Sequence, residues 1–300
     1  MHELDRLRLA LADAAERGEH ALLATVVNVD GSTYRGTGAR MVVRADGSTV
    51  GAVSGGCLEA DIVARAAELF VTGTPELAHY DTRGSDDEVL GLGLGCRGVL
   101  DVQLEPLAGE ALHRAIAELS ALRERTAVRV LVCGGGTDAI PVVRIAAAVG
   151  WLVTVVDHRP TFATTTRFPD AERVLQIDTV REPASLGASL ALDRFSAAIS
   201  MAHAATHDRA YLHALLGVPS LRYLGVLGPR RRTMELLDGA PGIVSGVLPS
   251  NVYAPIGLDF AAETPDEIAL SIVSEIAAVL AGRPPVSLRE RGGPIHEARR

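Results

Sequence analysis

Two cysteines in this chain sit directly behind glycine-rich turns. Cys57 follows Ser54, Gly55 and Gly56, and Cys96 follows Gly91, Gly93 and Gly95. A thiol at a helix N-terminus is favoured as the thiolate, because unpaired N–H groups and the macrodipole stabilise negative charge there. The thiolate is the nucleophile and the soft metal ligand. Leu58, Ile62, Ala66 and Leu69 share one face at helical spacing, so Cys57 is expected at or just before a helix start. Glycines let backbone amides approach an anion closely. Arg97 stands beside Cys96, a cation that lowers a thiol pKa. Two such loops in one domain suggest one shared site, with both cysteines facing a common cleft. The same residue types also suit small buried side chains in tight turns. Cys133 ends an apolar run and reads as buried and inert. Three cysteines cannot all pair, so no disulfide framework is implied.

A second constellation begins at that apolar run. Gly134, Gly136 and Ala139 follow VRVLVC and open a helical stretch, and Asp157 ends the next apolar run, WLVTVVD. This is the dinucleotide-binding spacing: a tight turn, close approach of backbone to phosphate, close helix packing, and a carboxylate for a ribose hydroxyl. Pro141 falls in the helix's first turn, where a missing N–H costs little. His203 and Asp208 lie just past another predicted strand, where ligands bind in open α/β sheets. His203 and His207 are four apart but straddle a strand-to-helix junction, and no further clustered ligands complete a metal set, so no metal site is assigned. Arg230, Arg231 and Arg232 open a helix after Gly228-Pro229 and suit a phosphate, although solvated surface charge has the same look. No serine–histidine–acid arrangement emerges from spacing.

The elements that must position these groups follow two rhythms. The chain has 300 residues, 48% of them hydrophobic, enough for about two domains with real cores. Its net charge of −8 and 4% aromatic content argue against a nucleic-acid partner or an anionic membrane surface. No apolar run is long enough to span a bilayer, and MHELDRLRLALADAAERG reads as an amphipathic helix rather than a signal peptide, so the expected location is cytoplasmic.

In the first half, strands are expected over Leu22–Val29, Arg40–Arg44 and Thr49–Val53, with turns at Asp30-Gly31 and Asp46-Gly47 and a helix over Leu58–Phe70. Alternation of Leu100, Val102 and Leu104 with polar residues marks a strand with one wet face. A connecting helix is expected over Glu110–Arg125. From Ala127 the rhythm becomes strand, helix, strand, with further strands at Arg173–Ile177, Ala197–Met201 and Leu221–Val226. That alternation predicts a doubly wound, Rossmann-like parallel sheet covered on both faces. Thr264, Pro265 and Glu267 form a capping box at the start of the last helix. The expected organisation is an N-terminal α/β domain over 1–108, a connector over 109–126, and a Rossmann-like domain over 127–300 whose tail from Arg283 is loose.

With these stretches in hand the chain resembles one family. ATVVNVDGSTYRGTGARMVV, GAVSGGCLEADIV, GLGLGCRGVLDVQLEP, the Gly134 loop, VVDHRP, YLGVLGPRRR and APIGLDFAAETPDEIALSIVSEI resemble the XdhC/CoxI family, the xanthine dehydrogenase accessory factors. The resemblance implies a family-specific N-terminal domain, a C-terminal Rossmann domain, and binding of molybdenum cofactor (molybdopterin), a pterin dithiolene carrying a phosphate. It implies a protein that protects the cofactor, assists its sulfuration with a cysteine desulfurase and delivers it to a molybdenum hydroxylase apoenzyme; with no acid or base placed for redox chemistry on a substrate, the chain reads as a carrier and maturation factor rather than a catalyst. A homodimer stays open. The motif positions that carry over are Ser54, Gly55, Gly56, Cys57, Glu59, Gly95 and Cys96 in the first half. In the second half they are Gly134, Gly136, Asp138, Asp157, Arg159, His203, Asp208, Gly225, Gly228, Arg230, Pro255, Gly257 and Asp259. The chain departs from the family pattern at Arg97, Thr137 and Ala202. The alternative, from the glycine spacing and Asp157, is an oxidoreductase that binds NAD.

Overall fold

The computed structural model describes residues 2–31, 33–83, 98–240, 243 and 247–290. The chain divides into two compact units, one built on Glu3–Thr126 and the other on Ala127–Val286.

The first unit runs α1 (Glu3–Arg17), β1 (Ala21–Gly31), β2 (Arg40–Arg44), β3 (Thr49–Gly51), α2 (Glu59–Thr72), β4 (Glu76–Asp81), β5 (Gly98–Leu107) and α3 (Glu110–Thr126). Its strands form an antiparallel sheet in the order β3-β2-β1-β5-β4. Alternate side chains of β1 serve two cores, as the period of two requires. Leu22, Ala24 and Val26 pack with Leu58, Ile62, Ala66 and Leu69 of α2, while Ala21 and Leu23 pack with α1 and α3. The expected connector is α3, whose Leu112, Ala115 and Leu119 join Leu7, Leu11 and Ala14 of α1 in the second of these cores.

Two local readings change. Asp30-Gly31 is not a turn: β1 runs through it, pairing Asp30 with Val99 and Gly31 with Gly98 after a register shift between Val26 and Asn28. A long partner strand offers ladder bonds that a dipeptide turn signal cannot outweigh. Strand β4 goes unread in the sequence because its outward residues, Leu77, His79 and Asp81, mix apolar and charged types at the sheet edge. Asp46-Gly47 does turn between β2 and β3, with Gly47 at φ 80° and the Asp46 carboxylate accepting from the Ser48 N–H at 2.9 Å.

The second unit runs β6 (Arg129–Cys133), α4 (Ala139–Ala148), β7 (Leu152–Asp157), β8 (Arg173–Gln176), α5 (Ser185–Ser189), β9 (Ala197–Ser200), α6 (Ala205–Leu215), β10 (Tyr223–Val226), α7 (Arg230–Leu237), β11 (Val252–Tyr253) and α8 (Pro265–Ala281). All pairings are parallel, in the order β11-β10-β9-β6-β7-β8. Val130 and Val132 of β6 face α4 and α8, and Leu131 and Cys133 face α6 and α7, so the sheet is covered on both sides as a doubly wound fold. The chain starts at β6, winds to β7 and β8, then returns to lay β9 on the other flank. The switch point therefore lies between the carboxyl ends of β6 and β9. No helix among the described residues is long and apolar enough to cross a membrane.

The capping box is formed. Thr264 Oγ1 accepts from the Glu267 N–H at 3.3 Å, and the Glu267 carboxylate accepts from the Thr264 N–H at 2.9 Å. Removing it with Thr264→Ala should lower stability by about 1 kcal/mol, read as a reduced denaturant midpoint with an unchanged slope.

Candidate functional site

In the first unit, the loop from Val53 to Leu58 leads into α2, whose N-cap is Leu58. Its geometry is set by Glu59 and Ser54. Glu59 Oε1 accepts from the N–H groups of Val53 and Ser54 at 3.1 and 2.7 Å, and Oε2 accepts from the Leu58 N–H at 3.2 Å and from Ser54 Oγ at 2.5 Å. Ser54 Oγ in turn accepts from the N–H groups of Gly56 and Leu58 and from the Cys57 thiol, at 3.3 Å for the sulfur. Partial burial pushes the Glu59 carboxyl up, but the bonds from Ser54 and from the backbone of Ser54, Glu59 and Val53 outweigh it and hold it below its ordinary value.

Ser54 and Glu59, both expected to meet a ligand, thus brace the loop from behind. The loop exposes Gly55 and Gly56, while the half-buried Cys57 packs against the core that holds Leu58 and Ile62. Gly56 sits at φ 110° and requires glycine. The Tyr34 ring, 66% exposed, lies against Gly55, where an added Cβ would be 3.5 Å away. Tyr34 carries no spacing signal, because two strands and their loops separate it from the cysteine in the chain. Gly95, Cys96 and Arg97 lie outside the described residues. A cavity of about 370 Å³ between α3 and the sheet is lined by Leu23, Arg40, Gln103 and Glu105 and contains none of the residues just named.

In the second unit the glycine loop fills the switch point, but its glycines differ in role. Gly134, at φ 115°, packs on the backbone just past β9: an added Cβ would lie 2.5 Å from the Met201 carbonyl and 2.6 Å from the Ala202 Cα. Its small size serves strand-to-loop packing rather than the phosphate approach expected of it. Gly135 is equally confined, 2.8 Å from the Phe162 carbonyl by the same measure. At Gly136, by contrast, the nearest contacts of a Cβ would be side chains alone, Asp138 Oδ1 at 2.6 Å and His203 at 3.5 Å. Here the loop opens. The N–H groups of Gly136, Thr137 and Asp138 make no hydrogen bond among the described residues, as the unpaired first turn of α4 dictates.

Asp138 and His203 meet across this opening, Oδ2 to Nε2 at 2.7 Å. His203 adopts φ 56°, a region side chains rarely occupy, and its ring is 60% exposed. Asp138 Oδ1 is buried without a donor. A free anion-binding helix end, a histidine in an uncommon backbone state and an unsatisfied carboxylate oxygen therefore share one crevice.

Asp157 does not do what the spacing suggests. It has no exposed surface, and its oxygens are filled: Gly135 N–H and Arg159 Nη2 bond Oδ2, both at 2.7 Å, and Arg159 N–H and Nε bond Oδ1 at 2.8 and 2.9 Å. A carboxylate offers about four acceptor positions, so none remains for a ribose hydroxyl. Burial pushes its pKa up, but Arg159, the Gly135 N–H and the Arg159 N–H together hold it below its ordinary value. The Arg159 guanidinium lies 3.8 Å over the Phe162 ring and is locked in this pairing.

Asp208 is likewise internal. It accepts from Ser200 Oγ and the Ala202 N–H and pairs with Arg232 at 2.6 Å. Of the three arginines opening α7, Arg232 is thereby engaged, Arg231 reaches Glu235 at 3.5 Å, and Arg230 is exposed, with no partner among the described residues. Sequence spacing could not tell these three apart. Gly228, at φ 114°, precedes them. Gly225 packs on Ile256 and Tyr223, and Gly257 packs on Ser271 and donates its N–H to Glu275 at 2.8 Å. Pro255 follows a cis bond and Asp259 is exposed. Cys133 is fully buried, which pushes its thiol well up.

Comparison with known proteins agrees with this architecture. Residues 14–81 match the model of the XdhC and CoxI family, and residues 130–276 match that of the XdhC Rossmann domain. The chain is 30% identical to a probable xanthine dehydrogenase component of Bacillus subtilis (strain 168), over 87% of this chain and 93% of that one. It is 28% identical to the molybdenum cofactor insertion chaperone PaoD of Escherichia coli (strain K12), over 91% and 87%. A crystal structure of a xanthine dehydrogenase from Bacillus halodurans matches with a TM-score of 0.80 at 28% identity, covering 96% of this chain and 98% of that one. The chain belongs to the XdhC and CoxI family.

Two outcomes follow from the loop geometry. Gly134→Ala should cost about 3 kcal/mol from strain and overpacking against backbone, whereas Gly136→Ala displaces only a carboxylate and should cost under about 1 kcal/mol. Denaturant unfolding of the two variants checks this. For Glu59, the folded value lies below the ordinary 4.5, so its contribution to stability is full above that pH and is lost as pH falls through the folded value. The thermal midpoint should therefore fall more steeply below about pH 4.5 in the unaltered protein than in Glu59→Gln.

Proposed function

We propose that this protein is a molybdenum-cofactor accessory factor that holds the cofactor for a xanthine-dehydrogenase-type molybdenum hydroxylase. The observation that carries the reading is the free helix end at Gly136, Thr137 and Asp138, beside His203. Three N–H groups and a helix dipole suit a terminal phosphate. The unsatisfied Asp138 Oδ1 suits a ligand N–H or O–H, so the residues present fit a phosphorylated pterin. Arg230, exposed and unpaired among the described residues at the start of α7, adds a cation at the same end of the sheet. When bound, the cofactor supplies the molybdenum–dithiolene chemistry that the client enzyme uses. In the first unit, Cys57 offers a soft thiol that suits transient molybdenum ligation or sulfur transfer. The names of two relatives, a cofactor insertion chaperone and a probable xanthine dehydrogenase component, support the same reading.

In this reading the protein shields the cofactor, assists its sulfuration with a cysteine desulfurase, and delivers it to the apoenzyme in the cytoplasm, working as a monomer or homodimer. Glu59 and Asp157 act as struts of the loops, and Gly257 and Asp259 lie on the return to α8. The NAD-dependent alternative has the glycine spacing in its favour, but Arg159 occupies the acceptor that a nicotinamide dinucleotide needs.

Purification after co-expression with the cofactor pathway tests the proposal. The protein should carry molybdenum and release a fluorescent pterin on oxidation. Gly136→Val and His203→Ala should lose most of both while remaining folded. Cys57→Ala should keep the pterin, lose neutral-pH thiol labelling, and fail to support maturation of the client. Tight NADH binding without pterin would overturn the proposal.

A further inference from the structure

His158 and His207 lie at the same end of the parallel sheet as the glycine loop, and neither contributes to the cofactor crevice. His158 follows Asp157 at the end of β7, and His207 is in the first turn of α6. Their rings stack with centroids 3.6 Å apart and planes 15° from parallel. His158 Nδ1 lies 3.5 Å from Asp157 Oδ1, and His207 Nε2 lies 3.5 Å from Asp178 Oδ1, just past β8. Both nitrogens are buried and have no hydrogen-bond partner among the described residues. These approaches are too long to be hydrogen bonds yet close enough for charge to matter.

The charges around the stack set how many protons it holds. Asp157 and Arg159 face it from the end of β7, and Asp178 faces it from the turn after β8. On α6 itself, Thr206 Oγ1 is 3.5 Å from His207 Nδ1, the Tyr211 hydroxyl bonds the Ile177 carbonyl, and Asp208 turns to Ser200 and Arg232. Asp157 and Asp178 both titrate below their ordinary range, so both stay ionised near neutral pH. One proton on the stack gives a single cation beside two carboxylates, each of which also has an arginine partner, Arg159 on Asp157 and Arg181 on Asp178 at 3.4 Å. A second proton puts two cations at ring-stacking distance, on rings that are mostly buried. Rings in contact at 3.6 Å couple the two sites, so a proton on one bears on the other.

We propose that the His158–His207 stack is a one-proton latch, which holds the first turn of α6 and the His203 loop ahead of it against the ends of β7 and β8 and opens when a second proton binds. Burial and the neighbouring His207 push His158 below its ordinary 6.5, with Arg159 acting in the same sense against Asp157 and Asp178. Since the unfolded chain then binds more protons than the folded one, this part of the stability is complete above about 6.5 and declines as pH falls below it. The carboxylate of Asp208 keeps the other side of α6 anchored, so opening is confined to the β7 and β8 side.

Carbon-13 histidine labelling of the full chain, with amide hydrogen exchange read across residues 203–208, tests the latch. The two ring signals, assigned with His158→Phe and His207→Phe, should titrate together in two steps at least about one pH unit apart. Exchange at residues 203–208 should rise several-fold through the more acidic step and stay unchanged through the first. His207→Phe keeps a stacked ring but cannot accept a proton, so His158 should then titrate in one step and the exchange should lose its pH dependence. His207→Gln provides the same comparison should the phenylalanine disturb folding. A single shared midpoint for both rings, or an exchange profile identical in the unaltered protein and both His207 variants, overturns the latch.

Discussion

A carboxylate with no exposed surface, Asp157, holds the loops at the carboxyl end of the second unit's parallel sheet together. An ionised carboxylate buried in this way costs several kcal/mol unless donors surround it, and Asp157 meets donors at every acceptor position. One of those donors is the Gly135 N–H, so the loop after β6 is tied to the end of β7. On the other side Gly134 leans on the backbone at the end of β9, so the same loop is fixed from both neighbouring strands. The next three N–H groups are thereby left pointing off a rigid support, at the start of α4. Preorganisation of this kind lowers the entropy a ligand loses on binding.

The first unit uses the same device with different residues. Glu59 gathers the N–H groups of Val53, Ser54 and Leu58 together with the Ser54 hydroxyl, and the loop then exposes Gly55 and Gly56 beside the half-buried Cys57. In both units a carboxylate that a motif assigns to the ligand stands behind the loop as its strut. Asp208 repeats the pattern for the turn between β9 and α6, with Arg232 completing its charge. What the struts leave uncommitted is a half-buried thiol in one unit, and free amides, an exposed histidine and a buried carboxylate oxygen without a donor in the other.

The Asp138–His203 pair and the His158–His207 stack both lie on the connections that cross the carboxyl end of the parallel sheet, where backbone is free of the ladder. His203 and His207 belong to one short segment, four residues apart, yet one reaches the loop after β6 and the other reaches the end of β7. The first turn of α6 is therefore joined to the Asp138–His203 pair through four residues of chain.

The amino-acid sequence by itself determined the elements whose causes are local. The capping box at Thr264, the helix face of Leu58, Ile62, Ala66 and Leu69, the turn at Asp46-Gly47 and the strand–helix alternation after Ala127 all depend on residues within a few positions of one another. The glycine-bearing loop before α4 and the Cys57 loop before α2 were legible for the same reason. Tertiary structure alone decided which lone pairs and N–H groups remained available. Asp157 is closed by Gly135, 22 residues away, as well as by Arg159, and Asp208 is closed by Arg232, 24 residues on. Gly134 is reserved for the backbone just past β9, and Asp30-Gly31 is drawn into a strand by a partner about 70 residues distant. A hydrogen-bonding group has few acceptor or donor positions, and which distant neighbour fills them depends on how the strands are laid side by side. Residue type and spacing do not encode that order directly.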